Sequence, residues 1–226
     1  MQVAYRMSDT NNLLAALPDK EYHLLLAHLE PVTLTFGEVI YLPGEPIDHV
    51  YFPTDSLVSL LTVVEGHQDL EVGMVGHEGM LGIPLALGVR HSPVRAKVQS
   101  AGMALRMTAT QFLQEFKQSA LLQQNVYRYI FELMGQLKQT SACNRFHRVE
   151  ARLACRLLMT RDRVRSNRFH LTQDLLGAML GVRRVGVTKA AGALRQRNLI
   201  SYSRGEIVIL DSEGLEESAC QCYQRI

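Results

Sequence analysis

The spacing of apolar residues separates a strand-rich N-terminal part of the chain from a helical C-terminal part. The first dozen residues are polar and predict a loose arm, and leucines at helical spacing predict a first helix over residues 12–29. From Pro31 the chain changes to short apolar segments separated by Gly, Pro and Asp. These segments cover residues 32–36, 39–42, 50–52, 57–64 and 70–75, with 94–98 and 104–107 as closing strands. Short strands at this spacing, with turn residues between them, predict an antiparallel sandwich or jelly roll.

From residue 110 the apolar positions follow a helical period. They predict a short helix over 110–116 and a long helix over 120–140. In the long helix, apolar residues follow a heptad seam made up of Val126, Ile130, Leu133 and Leu137. This seam is a candidate homodimer interface. A helix packed onto its own domain fits the same amphipathic face equally well.

A further helix is predicted over residues 148–160, and its basic residues recur every fourth position. Arg148, Arg152 and Arg156 therefore form one stripe along the helix. A stripe of this kind is usually a solvated face, and we predict solvent exposure here.

Residues 171–194 contain the pattern of a helix-turn-helix. Thr172 suits the N-cap of a first helix, Gly177 is small where a second helix must cross, and Gly181 suits a turn that needs positive φ. The inward face of the second helix consists of Val182, Val187, Ala190 and Leu194. An ordinary helical hairpin is the alternative interpretation.

The outward face of the second helix favours DNA over a plain hairpin. Arg183, Arg184, Thr188 and Lys189 project from or near its N-terminal end, which is the end that meets base edges. Arginine pairs bidentately with guanine, while Thr and Lys contact bases or phosphate. Thr172 can anchor a phosphate at the start of the preceding helix.

Two apolar runs then flank Arg204-Gly205 and predict a hairpin that completes a winged helix. Arg204 at its tip is a candidate phosphate contact, and an exposed turn arginine without a role is the alternative.

Charge is unevenly distributed along the chain, although the net charge is only +2. From Arg145 onward there are 15 basic and 8 acidic residues, a balance of +7, against −5 for the rest. This asymmetry predicts a polyanion partner for the C-terminal half. The chain shows no apolar run long enough to span a membrane and no secretion signal, so we expect a cytoplasmic protein.

The cysteines carry little signal in the sequence. Cys143, Cys155, Cys220 and Cys222 show no disulfide framework, which fits a reducing compartment. Cys220 and Cys222 could hold a metal, but no second ligand pair lies near them in the sequence. We therefore predict reduced thiols, no metal and no cofactor.

The order of sandwich, long helix and winged helix resembles the Crp/Fnr family of bacterial transcription regulators. The resemblance runs from about Leu13 to Asp211 and is most specific over residues 171–209, including the segment Gln196-Arg-Asn-Leu-Ile200. It implies an α+β fold: a cyclic-nucleotide-binding-like jelly roll over 12–118, a dimerisation helix over 119–142 and a winged helix-turn-helix over 143–226. It also implies a homodimer on a palindromic DNA operator and contact with RNA polymerase.

The chain departs from the family pattern at both functional regions. Nucleotide-binding members pair Gly-Glu with Arg-Ser or Arg-Thr, whereas here Glu78 precedes a glycine and His91 separates Arg90 from Ser92. Because a phosphate needs donors in fixed geometry, we predict that cyclic AMP is not the effector. The identity of the effector is unknown. Glu78, Arg90 and Ser92 remain ligand candidates. In the recognition helix, Val185 replaces a frequent glutamate and Lys189 a common arginine, so we expect an operator of different sequence.

Two rival classes of function remain. The chain has no nucleophile motif, histidine-rich metal spacing or phosphate loop, so we do not expect an enzyme. A ligand-binding adaptor whose winged helix contacts protein is the alternative, although the +7 half argues against it.

Overall fold

The computed structural model describes residues 11–62 and 69–225. It divides into two compact units, Met1–Leu60 with Met74–Glu132 and Leu61–Gly73 with Leu133–Ile226. The predicted domain boundaries at residues 118 and 142 stay predictions. The predicted N-terminal arm, apart from its last two residues, and the end of the predicted strand 57–64 lie outside the described residues. Within the described ranges, no helix is both long and apolar enough to cross a bilayer.

The N-terminal segment forms two short helices, so the prediction of one helix over residues 12–29 is wrong. They are α1 (Asn12–Ala15) and α2 (Asp19–Leu26). Pro18 separates them in extended backbone with ψ of 148°, and a proline ring excludes the hydrogen bond that would join the two helices. Asn11 caps α1 by accepting from the amide of Leu13 at 3.0 Å.

The strand prediction for the N-terminal part is confirmed with small shifts in bounds. The strands are β1 (Glu30–Leu34), β2 (Val39–Tyr41), β3 (His49–Pro53), β4 (Leu57–Thr62), β5 (Leu70–Val75), β6 (Arg95–Ser100) and β7 (Gly102–Thr108). One sheet has the order β1-β7-β3 and the other β2-β6-β4-β5. The pairs β1/β7, β3/β7 and β2/β6 are antiparallel. Val50 and Phe52 alternate with more accessible positions on β3 and are fully buried, as period-two patterning requires.

Two helices follow the last strand of this region. Thr108 and Gln111 form a capping box that starts α3 (Ala109–Gln118). The long helix α4 (Ala120–Phe146) extends beyond the predicted residue 140, and the boundary between the two units falls inside it.

The predicted dimer seam on α4 stays a prediction, and the single chain already buries most of it. Val126, Ile130 and Leu133 are 0%, 8% and 6% exposed within the single chain, so a partner could bury almost nothing more of them. Leu137 is half-buried. The apolar side chains that α4 exposes in this stretch lie one position along, at Tyr127, Phe131 and Met134.

The C-terminal region contains the predicted winged helix. Its elements are α5 (Val149–Val164), β8 (Arg168–His170), α6 (Gln173–Leu180), α7 (Arg184–Gln196), β9 (Ile200–Ser203), β10 (Glu206–Ile209) and α8 (Ser212–Ser218). The small sheet has the order β8-β10-β9, with both pairs antiparallel. The inner faces of α5, α6 and α7 share one apolar core with this sheet.

The basic stripe on α5 was predicted to be exposed to solvent. The structure differs from this prediction, because the side chains of two of its three arginines are removed from solvent. Arg156 forms an ion pair with the buried Glu71 within the second unit. Arg152 donates to Asn144 Oδ1 at 2.5 Å and to the carbonyl of Leu180. Burial lowers the pKa of Arg156, and the charge of Glu71 opposes that shift. Oxygen acceptors thus offset the cost of removing each guanidinium from water.

Candidate nucleic-acid interface

The helix-turn-helix is built as the sequence predicts. Thr172 caps α6 by accepting from the amide of Leu175 at 3.2 Å. Gly181 ends α6 with φ of +59°, a conformation that L side chains rarely adopt. A Cβ on Gly177 would lie 3.1 Å from the carbonyl oxygen of Val182, so a small residue lets the turn pack closely. Gly177 and Gly181 therefore allow the tight turn that leads into α7.

The structure separates the two faces of α7 as expected. Val187, Ala190 and Leu194 are buried in the core, while Val182 is half-buried. The exposed side chains at the start of the helix are Arg183, Arg184, Val185, Thr188 and Lys189. All the predicted DNA contacts on this helix are therefore accessible to a partner.

Gln173, in the first turn of α6, contacts the recognition face of α7 and was missed in the sequence analysis. Its Oε1 accepts from Arg184 Nε at 2.8 Å and from the Thr188 hydroxyl at 3.4 Å. The Thr188 hydroxyl also lies 3.0 Å from the carbonyl oxygen of Arg184. These contacts hold two candidate base-reading side chains in a defined arrangement.

The wing is a hairpin with a two-residue turn. Arg204 and Gly205 connect β9 to β10 with φ of +51° and +83°, the signature of a type I′ turn. The carbonyl of Gly205 accepts from the amide of Leu171 at 2.7 Å, just before the Thr172 cap. A main-chain hydrogen bond therefore joins the wing tip to the start of α6. The guanidinium of Arg204 is exposed.

Side chains from α6, α7 and the wing surround one open cleft of about 440 Å³. Three arginines, Arg184, Arg195 and Arg204, line it together with His170 and Tyr202. Asp174 is the acidic residue of this lining. Burial raises the pKa of Tyr202, while the charge of Arg184 acts to lower it. The cleft can therefore receive an anionic group.

Arg195, His170 and Tyr202 were not among the predicted contacts. Arg195 could have been found, because eleven residues at 100° per residue return it to within about 20° of Arg184 on the same helix face. His170 and Tyr202 have no such signal, since the pairing of β8, β10 and β9 brings them together.

The three ligand candidates of the N-terminal region are placed in local turns. Glu78 accepts from the amide of Gly76 at 3.2 Å. The Ser92 hydroxyl donates to the carbonyl of Val94 at 2.7 Å, and Ser92 is buried. Arg90 is exposed, and its carbonyl accepts from Ile47. Ser92 therefore uses its hydroxyl within its own turn, and its role as a ligand contact stays a prediction.

The sequence argument against a metal at Cys220 and Cys222 was that no second ligand pair lies near them, and in the folded chain such a pair does lie near them. Cys143 and His147 lie beside this pair, and the four ligand atoms are all within 4.8 Å of one another. The C-terminal segment returns to the end of α4, a contact that linear spacing cannot reveal.

Comparisons with known sequences match the C-terminal region and, through one relative, most of the chain. Residues 151–218 match the family model of the Crp-like helix-turn-helix domain. The global nitrogen regulator of Synechocystis sp. is 23% identical over 206 residues, which covers 84% of this chain and 89% of that protein.

Solved structures show the same fold. FixK2 from Bradyrhizobium japonicum matches with a TM-score of 0.72 at 13% identity, over 85% of this chain and 98% of that one. A CRP/FNR-family transcriptional regulator from Thermus thermophilus matches with a TM-score of 0.58 at 27% identity, over 84% and 98% of the two chains. Residues 151–218 therefore form a Crp-like helix-turn-helix domain, and the order of β-domain, long helix and winged helix is the fold of Crp/Fnr-family regulators.

Proposed function

We propose that the chain binds double-stranded DNA sequence-specifically, with the N-terminal end of α7 in the major groove. The observation that carries this proposal is the cleft in which Arg184, Arg195 and Arg204 converge from helix and wing. Neutralising backbone phosphates supplies much of DNA affinity, and a recognition helix reads bases through its first turns.

The exposed residues divide between reading and positioning roles. Arg184 and Thr188, held together by Gln173, face the bases, and Arg184 reads a guanine edge. Val185 offers an apolar contact to a thymine methyl group. Thr172, Arg183, Lys189 and Arg204 contact phosphates on either side of the groove.

The proposed regulator is a homodimer on a palindromic operator. Two recognition helices read half-sites about one helical turn apart, so two-fold symmetry of the protein matches that of the DNA. The exposed residues Tyr127, Phe131 and Met134 recur at spacings of four and three along α4. We assign them to the interface with a second copy of this chain, in place of the buried seam.

The remaining features of this proposal follow from the family. The protein acts in the cytoplasm, contacts RNA polymerase and catalyses no reaction. The effector of its N-terminal region is unknown and is not cyclic AMP.

Selection of binding sequences from a random duplex pool tests the proposal. The full-length protein is used with and without cyclic nucleotides, and Arg184→Ala is compared with Arg197→Ala. Arg197 is an exposed arginine at the other end of α7 that pairs with Glu150. We expect an enriched palindrome without added nucleotide. On that sequence Arg184→Ala should cost about 1–3 kcal/mol and Arg197→Ala nothing comparable.

Two results would contradict the proposal. Equal weakening of specific and random DNA by Arg184→Ala would reduce this residue to a phosphate contact. Absence of salt-dependent binding to any duplex would rule out DNA binding as the function. It would favour the alternative, a ligand-binding adaptor whose winged helix contacts protein.

A further inference from the structure

Four potential metal ligands meet where α4 ends and the C-terminal segment returns to it. Cys143 and His147 are one helical turn apart, and the amide of His147 donates to the carbonyl of Cys143 at 3.1 Å. Cys220 and Cys222 follow α8. The amide of Cys220 donates to the carbonyl of Ala151 at 3.3 Å, and the amide of Tyr223 to that of Cys220 at 3.1 Å. Backbone hydrogen bonds thus fix both halves of the cluster.

The spacing of the ligand atoms fits one tetrahedral ion. The Sγ atoms of Cys143 and Cys220 are 3.4 Å apart, as are Cys222 Sγ and His147 Nδ1, and all four atoms lie within 4.8 Å of one another. Zinc bonds of about 2.3 Å to sulfur and about 2.0–2.1 Å to imidazole nitrogen separate tetrahedral ligands by about 3.5–3.8 Å. An iron–sulfur cluster attaches its ligands to several metal atoms and needs a wider set.

The surroundings suit negatively charged sulfur ligands. Cys143, Cys220 and Cys222 are 7%, 8% and 1% exposed, which excludes most solvent from the sulfurs. The amide nitrogen of Gln139 lies 2.9 Å from Cys222 Sγ and donates to it. Arg152 interacts electrostatically with Cys143 and Cys220. Three thiolates and one imidazole around Zn²⁺ leave one excess negative charge, which this guanidinium balances.

We propose that Cys143, His147, Cys220 and Cys222 bind one zinc ion per chain. Four protein ligands complete the tetrahedron, so the ion has a structural role with no open position for a substrate. The ion links residues that are 77 positions apart in the sequence and fastens the C-terminal segment to α4. Arg152, beside the site, also donates to the carbonyl of Leu180 at the end of α6. The zinc site therefore supports the element that precedes the recognition helix.

Cys155 provides a matched control within the same region. It is buried like the three cysteine ligands, and its thiol contacts the Cys220 thiol as well as the Met159 sulfur at 3.9 Å, but it is outside the four-residue set. His147 provides a ligand whose replacement leaves the core intact, because its side chain is exposed.

The test measures metal content and thermal stability of the full-length protein, purified without a histidine tag and in the presence of reductant. We expect one zinc per chain in the wild type and in Cys155→Ala, and loss of zinc in Cys222→Ser and His147→Gln. Chelation should lower the thermal midpoint of the wild type, and zinc should restore it. Titration of the metal-free wild type with Co²⁺ should give the absorption of tetrahedral cobalt with thiolate ligands. This readout requires no variant to fold.

Several results would overturn the assignment. A wild type that takes up neither zinc nor cobalt, or that carries a Cys143–Cys220 disulfide instead, excludes the site. Retention of zinc by both ligand variants, or its loss from Cys155→Ala, shows that the ligand set is different. None of these outcomes depends on DNA binding, so the proposed function is tested separately.

Discussion

The buried ion pair between Glu71 and Arg156 allows a quantitative prediction for Glu71→Gln. The side chain of Glu71 is 2% exposed and that of Arg156 11%, so neither charge is solvated by bulk water. Replacing the carboxylate by an amide keeps the shape but leaves the guanidinium buried without its counter-charge. Removing one partner of a buried pair costs about 3–5 kcal/mol. At about 2–4 °C per kcal/mol for a chain of this size, even the lower figure means a fall of about 6–12 °C in the thermal midpoint.

The matched control is the exposed pair of Arg168 and Glu206, whose side chains are 68% and 50% exposed. The same Glu→Gln change at Glu206 should cost no more than about 1 kcal/mol, because water screens an exposed pair. The double variant Glu71→Leu with Arg156→Met removes both buried charges and should recover most of the lost stability. Thermal and urea unfolding of the four proteins measure these differences. Equal effects at Glu71 and Glu206, or a double variant less stable than Glu71→Gln, would refute the reasoning.

Three further predictions concern the winged helix and the long helix. Arg204→Gly should maintain or raise the stability of the protein, since a non-glycine residue at φ of +51° is strained. The same change should lower the affinity for DNA and reduce the salt dependence of DNA binding by about one phosphate contact. Unchanged salt dependence would mean that Arg204 contacts no phosphate. Thr172→Ala should lower the free energy of unfolding by about 1 kcal/mol in urea, and Thr172→Ser should not, because only alanine removes the cap. Phe131 is 71% exposed, so Phe131→Glu should shift the protein to monomers in light scattering while Glu132→Lys does not. A dimeric Phe131→Glu protein would place the interface elsewhere.

Local chemistry explains why the winged helix was predictable from sequence. A cap at Thr172, a positive φ at Gly181 and a two-residue turn at Arg204-Gly205 each act within a few residues, so the sequence displays them directly. The same kind of evidence would have ended the first helix at Pro18, where the leucine spacing was given too much weight.

Features that depend on distant partners were wrong or missed. Two arginines of the stripe on α5, Arg152 and Arg156, are buried because Leu180 and Glu71 supply acceptors from far along the chain. The heptad seam on α4 marks the face that the chain itself covers, since periodicity identifies an apolar stripe but not what buries it. The pairing of Cys143 with Cys220 depends on the return of the C-terminal segment, which has no local signature.

The bridge formed by Gln173 has a consequence for how an operator is read. Arg184 and Thr188 share one acceptor, so moving either side chain to suit a new base changes the constraint on the other. Preferences at the base pairs they contact should therefore depend on each other, and free energies of single-base changes should fail to add. A scoring matrix that treats each operator position independently would misrank sites altered at both positions. A matrix that scores the two positions as a correlated pair of bases would rank the operators of this protein better.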